Sequence, residues 1–456
     1  MNKYNKQFSP DRRDFMKTLA LGSAAGLMGL PDLNAATIPY ETPSYANAMA
    51  PITIRNVKAI ATNPAGSNLV VVKVETSEPG LYGVGCATFT QRAFAVVTAI
   101  EKYMNEFCVG RDADNIEDMW QAFYVSSYWR NCPVLNNALS GLDQALWDIK
   151  GKRAGVPVYQ LLGGKARFAV PLYAHAGGNS IEQVVDSVKR FMDRGFKHIR
   201  IQLGGYGGLG AGGGGRTPDF RAAGFGGERD GFMDEGAYIK GTIQIFDAVR
   251  KACGEEIELP HDVHERLQPR DVIYMCRQLE QYRPFFIEDP LSPENRAWWE
   301  ELRKSTTVPL AMGELFNNIN EFVEPMVNHY FDFIRIHISQ IGGITPAVKV
   351  AKLGEWYNVK TAWHGPGDVS PIGHAANAHI CLKSWNFCIL EGGYQFRENE
   401  RVVFPGCPVD KDGMMYVNEA PGLGVDIDEK EAAKYPINNR AGGWTIRKHD
   451  GTIIRP

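Results

Sequence analysis

The 456-residue sequence lacks several features that would point to common classes of function. It has no long run of Lys or Arg, and 49 basic against 52 acidic side chains give a formal net charge of -3. Its eight cysteines form no CxxC pair, and it has no GxxxxGK[ST] motif. We therefore do not expect a nucleic-acid partner, a disulfide framework or a phosphate-binding loop.

Apolar runs long enough to span a membrane are also missing. The N-terminal apolar stretch from Thr18 to Leu30 has 13 residues, whereas a membrane-spanning helix needs about 20. It follows Arg12 and Arg13, and this arrangement resembles a twin-arginine export signal. We therefore expect a signal peptide over residues 1–36, a flexible lead-in over 37–50, no stable membrane anchor and a periplasmic or secreted location.

The rest of the chain contains two successive patterns of apolar residues. Residues 51–165 begin with alternating runs such as NLVVVKVETS and continue with helical stretches such as NNALSGLDQALWDIKGKRAG, which predicts an α+β capping domain. Over residues 166–393, eight short apolar runs alternate with amphipathic helical stretches, which predicts a (β/α)8 (TIM-like) barrel. Residues 394–456 are rich in Gly and Pro, and we expect this segment to return to the cap.

Acidic residues recur at the predicted carboxyl ends of three consecutive barrel strands. Asp262, Glu288 and Glu314 are spaced 26 residues apart, about one strand and helix unit, which predicts one level on three neighbouring strands. Converging carboxylates repel one another unless a cation lies between them. Oxygen ligands suit Mg²⁺ better than Zn²⁺. The spacing therefore predicts one Mg²⁺ per subunit.

On the motifs HDVH, FFIEDP and AMGELF around these acids, the chain resembles the enolase superfamily. With YWR, YAHAGG, RIHISQIGG and WHGPGDVSPIGHAA it is most similar to the mannonate dehydratase (RspA-like) group. The resemblance implies a hydro-lyase that acts on a sugar acid of mannonate or gluconate type. Proton loss beside the carboxylate would give an enediolate, and loss of the β-hydroxyl a 2-keto-3-deoxy acid. It also implies a homo-oligomer.

The resemblance assigns further residues to the reaction. His264 is the implied general acid, and two residues after Asp262 on a strand it would share the face that looks into the barrel mouth. The implied substrate-binding residues come from several strands and from the cap: Asn68, His175, Arg335, His364, Asp368 and Glu391.

The proton-abstracting base is where the sequence departs from that group. Arg200 and Gln202 replace a KxK pair, which argues against the cycloisomerase and KxK racemase subgroups. In mannonate dehydratases the Arg works with a Tyr about twelve residues later, where this chain has Gly212 within GGYGGLGAGGGGR. Three alternatives remain open: Tyr206 reaches inward, His364 takes the proton, or turnover has been lost.

Two other functions therefore stand beside the dehydratase. One is a sugar-acid racemase or epimerase of the same superfamily that uses His264 and a second base on opposite faces. The other is an exported sugar-acid binding protein without catalysis. A panel of sugar acids separates both alternatives from the dehydratase, because neither alternative forms a 2-keto-3-deoxy product.

Overall fold

The computed structural model describes residues 50–204, 231–393, 395–439 and 446–454. The expected signal and lead-in up to residue 49, and Tyr206 with most of the glycine-rich stretch, lie outside these ranges. The chain divides into two compact units, Met1–Pro51 and Ile52–Pro456, and the elements below belong to the second. Across the described ranges, no helix has the length and apolar character needed to cross a membrane.

Strands and helices are numbered here along the described part of the chain. The strands are β1 Ile54–Thr62, β2 Leu69–Thr76, β3 Tyr82–Cys86, β4 Val170–Gly178, β5 His198–Leu203, β6 Gly231–Phe232, β7 His261–Asp262, β8 Ile287–Glu288, β9 Leu310–Met312, β10 Phe333–Ile336, β11 Lys360–Trp363, β12 Phe387–Glu391, β13 Val409–Lys411, β14 Met414–Tyr416, β15 Ile446–Arg447 and β16 Ile453–Ile454. The α-helices are α1 Ala93–Ala99, α2 Asn105–Cys108, α3 Ile116–Val125, α4 Pro133–Ala154, α5 Val158–Leu161, α6 Ile181–Asp193, α7 Glu235–Cys253, α8 Pro269–Leu279, α9 Trp299–Ser305, α10 Val323–Val327, α11 Ile344–Trp356, α12 Pro371–Lys383, α13 Glu398–Val403 and α14 Glu429–Ala432.

The first three strands and helix α4 form the centre of the capping domain. β1, β2 and β3 are an antiparallel sheet in chain order, as the alternating runs predicted. Helix α4 lies against this sheet with the apolar face expected from its sequence, since all five predicted positions are buried. These positions are Ala138, Leu142, Ala145, Leu146 and Ile149. Burial of this face holds the helix on the sheet.

Strand β3 approaches α4 so closely at Gly85 that there is no room for a side chain at this position. A Cβ at Gly85 would overlap the carbonyl oxygen of Gly141 and lie 2.9 Å from the backbone nitrogen of Ala145. We expect Gly85→Ala to destabilise the protein by about 1–3 kcal/mol, the usual range for overpacking. Thermal unfolding measures the loss. Gly236→Ala in α7 is the matched control, because a Cβ there meets nothing closer than 3.4 Å; an equal effect of both changes would contradict the packing argument.

Eight parallel strands form the barrel, and each of the eight predicted apolar runs contains one of them. Strands β4, β12, β11, β10, β9, β8 and β7 are hydrogen-bonded in that order, and β5 pairs with β4. The ring closes where Ile199 N donates to Glu258 O at 2.9 Å and Ile201 N donates to Pro260 O at 3.1 Å. The fold is therefore a TIM-like barrel with an α+β cap, as predicted.

An apolar layer fills the barrel interior beneath the carboxyl ends of the strands. Strand residues two positions apart face the same way. The apolar layer is therefore formed by residues that stand two positions before the polar residues at the strand ends. Five of its buried members precede His175, Glu288, Arg335, His364 and Glu391 in this way. They are Tyr173, Phe286, Phe333, Ala362 and Ile389. The layer supports a polar layer above it.

The C-terminal segment contacts both the cap and the barrel. Hairpin β13–β14 extends the barrel sheet by pairing with β4, a contact that the sequence did not indicate. Further on, Glu429 accepts from Lys58 Nζ at 2.8 Å and Lys73 Nζ at 2.7 Å. The cap also contacts the barrel through Asp143 of α4, which accepts from Thr345 N in the first turn of α11 at 2.9 Å. These contacts fix the cap relative to the barrel mouth.

Candidate active site

The polar side chains predicted from the strand ends meet at the carboxyl end of the barrel. His175 and Arg200 are direct partners in the β4–β5 register, and Asp262 and Glu288 are partners in the β7–β8 register. Glu314 is not level with them, because Glu288 pairs with Ala311 and β9 ends at Met312. The equal spacing thus identified neighbouring strands correctly but was wrong about the level of the third acid.

Asp262 and Glu288 belong to a buried acidic cluster that also contains Asp289. One carboxylate oxygen from each lies within 4.8 Å of the others. Burial and neighbouring carboxylates hold the pKa of Glu288 and of Asp289 well above the ordinary value. In the part of the chain that the structure describes, Asp262 Oδ1 is buried without a hydrogen-bond partner. Such an oxygen, beside two more acids, suits a hard divalent cation such as Mg²⁺.

Asp289 was not singled out from the sequence. Adjacent residues on a strand point to opposite faces, so an acid next to Glu288 would be expected to face away from it. The backbone of Asp289 has a left-handed φ of 38°, which breaks the alternation and brings both carboxylates to one side. The adjacent acids of the EDP motif were the available signal.

Arg335 lies at the centre of a second group of carboxylates. Its Nη2 is 2.6 Å from Glu288 Oε1, 2.8 Å from Glu314 Oε2 and 2.8 Å from Glu391 Oε2. The guanidinium is completely buried. Its positive charge offsets the repulsion among the three acids, which would otherwise be costly in a buried site. The sequence predicted Arg335 as a substrate-binding residue, and the structure adds that it pairs with two predicted metal ligands.

His364 contacts the same carboxylates from the end of β11. Its Nδ1 lies 2.8 Å from Glu314 Oε2 and 3.2 Å from Glu391 Oε2, and its Nε2 lies 3.5 Å from Asp368 Oδ1. Burial lowers the pKa of His364, but the surrounding carboxylates outweigh burial and hold this pKa well above the ordinary value. His337 stacks on the ring at 4.5 Å. His364 and Asp368 therefore lie side by side at the barrel mouth, and their role in substrate binding stays a prediction.

Arg200 connects the two acidic groups. Its Nη1 donates to Asp262 Oδ2 at 2.9 Å, and its Nη2 donates to His175 Nδ1 at 3.3 Å. Because Nδ1 accepts, the neutral His175 ring carries its proton on Nε2, which lies 2.8 Å from Glu391 Oε1. Burial lowers the pKa of His175 and favours this neutral form. Four predicted site residues are thus joined in one chain of contacts.

His264 reaches the site by another path than the one predicted. β7 ends at Asp262, and His264 has a left-handed φ of 54°, so the strand argument for a shared face does not apply to it. It nevertheless lies near Glu314: burial raises the pKa of Glu314, but His364 and Arg335, and to a smaller extent His264, outweigh burial and hold this pKa well below the ordinary value. His264 therefore belongs to the barrel mouth through a turn.

One other predicted residue, Asn68, contacts the C-terminal segment and the cap instead of this cluster in the described part of the chain. The buried Asn68 side chain donates to Asn438 O at 2.7 Å and accepts from Asn63 Nδ2 at 2.8 Å. These bonds connect the cap with the C-terminal segment. Tyr206 lies outside the described residues, so its role stays a prediction.

Comparison with known proteins assigns both halves of the chain to one superfamily. Residues 45–163 match the mandelate racemase / muconate lactonizing enzyme N-terminal domain, and residues 183–431 match the enolase C-terminal domain-like family. A D-galactonate dehydratase family member of Enterococcus gallinarum is 50% identical over 409 residues, covering 90% of this chain and 100% of the relative. The family member RspA of Pantoea ananatis is 49% identical, with the same coverage of both chains.

A solved structure gives the same assignment. An enolase from Pantoea ananatis, crystallised with bound D-gluconate and Mg, matches with a TM-score of 0.84 and 48% identity, covering 89% of this chain and 100% of that one. The relatives are named dehydratases, and dehydratases are lyases. The chain therefore belongs to the enolase superfamily and, within it, to the D-galactonate dehydratase family of lyases.

Proposed function

We propose that this protein is a Mg²⁺-dependent dehydratase of a sugar acid of gluconate or mannonate type. The reaction removes the proton from C2 and the hydroxyl from C3, so that the sugar acid becomes a 2-keto-3-deoxy acid plus water. The observation that carries the proposal is the buried acidic cluster at the barrel mouth, where Asp262 Oδ1 has no hydrogen-bond partner among the described residues. The D-gluconate and Mg bound by a relative of 48% identity support the substrate class.

The metal would be held by Asp262, Glu288 and Glu314, with Asp289 beside them. Asp262, Glu288 and Asp289 fit Mg²⁺ because every candidate atom of this group is a carboxylate oxygen, while Glu314 lies in the neighbouring group around Arg335. When bound, Mg²⁺ would offset the negative charge that develops on the substrate carboxylate as the C2 proton leaves. Arg200 already holds one oxygen of Asp262, which leaves the other oxygen for the cation.

The side chains around the cluster would bind the sugar acid and move its protons. His175, Arg335, Asp368 and Glu391 supply cationic, neutral and anionic hydrogen-bonding groups to the hydroxyls and carboxylate. His264 would donate a proton to the departing C3 hydroxyl, so that it leaves as water. The C2 proton would pass to Tyr206 or to His364. Tyr206→Phe and His364→Gln separate these alternatives, because the variant that lacks the base loses proton exchange at C2.

A panel of sugar acids tests the proposal. D-gluconate, D-mannonate and D-galactonate are incubated with the protein and Mg²⁺, and keto-acid formation is followed by a carbonyl reagent. We expect product from at least one acid, loss of product with a chelator, and recovery when Mg²⁺ is restored. An epimerised sugar acid without keto acid would support the racemase or epimerase. Binding of a sugar acid without any turnover would support the sugar-acid binding protein without catalysis. Either of these two results would overturn the dehydratase.

We also propose that the protein is exported through the twin-arginine pathway. Arg12 and Arg13 with the apolar stretch that follows support this, and the family match begins only at residue 45. The full chain is expressed in a bacterium with this pathway. The cytoplasmic and periplasmic fractions of the cells are then separated, and the N-terminus of the protein in each fraction is determined. We expect a shortened periplasmic form that disappears when both arginines become Lys. A wild-type chain that stays in the cytoplasm with its N-terminus intact would contradict export.

A further inference from the structure

Tyr173 is a buried polar residue of the barrel for which neither the motifs nor the proposed reaction gives a role. It lies on β4, two residues before His175, and its side chain is completely buried. Its ring makes an edge-to-face contact with Phe286 at 6.0 Å and stacks near His175 at 5.6 Å. These contacts would serve a phenylalanine equally well. The hydroxyl therefore needs its own explanation.

The hydroxyl of Tyr173 connects Arg335 with Glu288. Arg335 Nη1 lies 2.8 Å from the phenolic oxygen, and this oxygen lies 3.1 Å from Glu288 Oε2. A guanidinium can only donate, so the tyrosine oxygen accepts from Arg335. The single hydroxyl proton is then directed to Glu288. The order of donors is thus fixed from Arg335 through Tyr173 to the carboxylate.

This order makes the two oxygens of Glu288 different from each other. Oε2 accepts from Tyr173, while Oε1 lies 2.6 Å from Arg335 Nη2, the nitrogen that also contacts Glu314 and Glu391. A carboxylate can rotate about its terminal bond unless its oxygens have partners. Arg335 holds Oε1 on the side of the other acids and Tyr173 holds Oε2, so the hydroxyl of Tyr173 completes the restraint on this carboxylate.

We propose that Tyr173 is a positioning residue for the metal site, which holds the Glu288 carboxylate and the Arg335 guanidinium so that Glu288 Oε1 faces the cation. The inference rests on the proposed function for the identity of the cation as Mg²⁺. Residues that orient metal ligands usually contribute 10- to 100-fold in metal affinity. Tyr173 acts through Glu288 and need not touch the substrate.

The test is Tyr173→Phe, which keeps the ring contacts and removes the hydroxyl. Calorimetric titration of the metal-free protein with Mg²⁺ should show a Kd raised about 10- to 100-fold. The Mg²⁺ concentration for half-maximal turnover should rise by the same factor, while kcat at saturating Mg²⁺ stays within about threefold. Tyr159→Phe is the matched control, since Tyr159 is buried and its hydroxyl contacts Glu419 outside the site; its Kd should equal that of the wild type.

A structure of the wild-type protein with Mg²⁺ tests the same claim without a variant. Glu288 Oε1 should contact the metal, with Oε2 on the Tyr173 hydroxyl. An unchanged Kd in Tyr173→Phe, or Oε2 on the metal, would overturn the inference. Mg²⁺ binding by the wild-type protein without turnover of any sugar acid would reject the dehydratase. The comparison of the Mg²⁺ Kd between wild type and Tyr173→Phe would still decide the role of Tyr173. A wild-type protein that binds no Mg²⁺ would overturn both.

Discussion

Replacing Asp262 by Asn should lower kcat/KM at least about a thousandfold, which corresponds to about 4 kcal/mol of transition-state stabilisation. Asp262 pairs with Arg200 through one oxygen, and the other is buried with no hydrogen-bond partner within the described ranges. Asn removes the negative charge from this position and keeps nearly the same shape. The charge loss should weaken Mg²⁺ binding and leave the positive charge of Arg200 without its nearest carboxylate.

The measurement compares kcat/KM on the sugar acid that the wild type converts and the Kd for Mg²⁺ by calorimetry. Asp247→Asn is the control, because Asp247 forms an exposed pair with Lys251 on α7 at 2.6 Å. Exposed pairs of this kind contribute at most about 1 kcal/mol to stability. An Asp262→Asn protein that keeps more than a tenth of the wild-type turnover would contradict the assignment of Asp262 as a metal ligand.

Replacing Arg335 by Met should have its largest effect on the metal-free protein. The change would leave Glu288, Glu314 and Glu391 buried around a site that has lost its central cation. Breaking a buried ion pair costs about 3–5 kcal/mol, and about 4 kcal/mol lowers the melting temperature of a chain of this size by roughly 5 °C. Mg²⁺ supplies positive charge to the same acids, so it should raise the melting temperature of the variant more than that of the wild type.

Differential scanning calorimetry with and without Mg²⁺ checks this expectation. Arg296→Met is the control, because Arg296 pairs with Glu324 on the surface and both side chains are exposed. The control should change the melting temperature little, and its response to Mg²⁺ should equal that of the wild type. An Arg335→Met protein as stable as the wild type without metal would show that the guanidinium does not neutralise the three acids.

The fold was predictable because each barrel unit repeats the same pattern. A short apolar run, a polar residue at its end and a helical stretch follow one another eight times, and the structure contains a strand in every predicted run. The residues that gather at the mouth were predictable for the same reason, since the last inward position of a parallel strand faces the common opening. His175, Arg200, Arg335, His364 and Glu391 all meet there.

The detailed geometry of the site was less predictable because it depends on the turns after the strands. His264 at φ 54° and Asp289 at φ 38° have left-handed backbones, which a pattern of polar and apolar residues does not reveal. Glu314 follows Gly313, whose φ of 134° takes the chain out of β9 before the acid is reached. The equal spacing therefore gave a wrong level for Glu314, and strand alternation missed Asp289.

The contacts of Arg335 and Tyr173 were also outside the reach of sequence patterns. Both are inward-facing strand residues, but their partners lie 21 to 162 positions away in the chain. Such contacts arise only when the barrel closes and brings its distant strands side by side. The glycine-rich stretch that separates this chain from the mannonate dehydratase pattern follows β5 in the sequence and contains Tyr206, one of the two bases proposed for the C2 proton.

The proposed reaction removes the C2 proton of a sugar acid and then expels the C3 hydroxyl. Proton NMR of the reaction in D₂O with Mg²⁺, beginning with D-gluconate and D-mannonate, measures both steps at once. We expect a 2-keto-3-deoxy acid that carries one deuterium at C3, because the enol left by water loss takes up a deuteron from the solvent at this carbon. Recovered sugar acid with deuterium at C2 and no keto acid, or sugar acid with no deuterium at all, would contradict it.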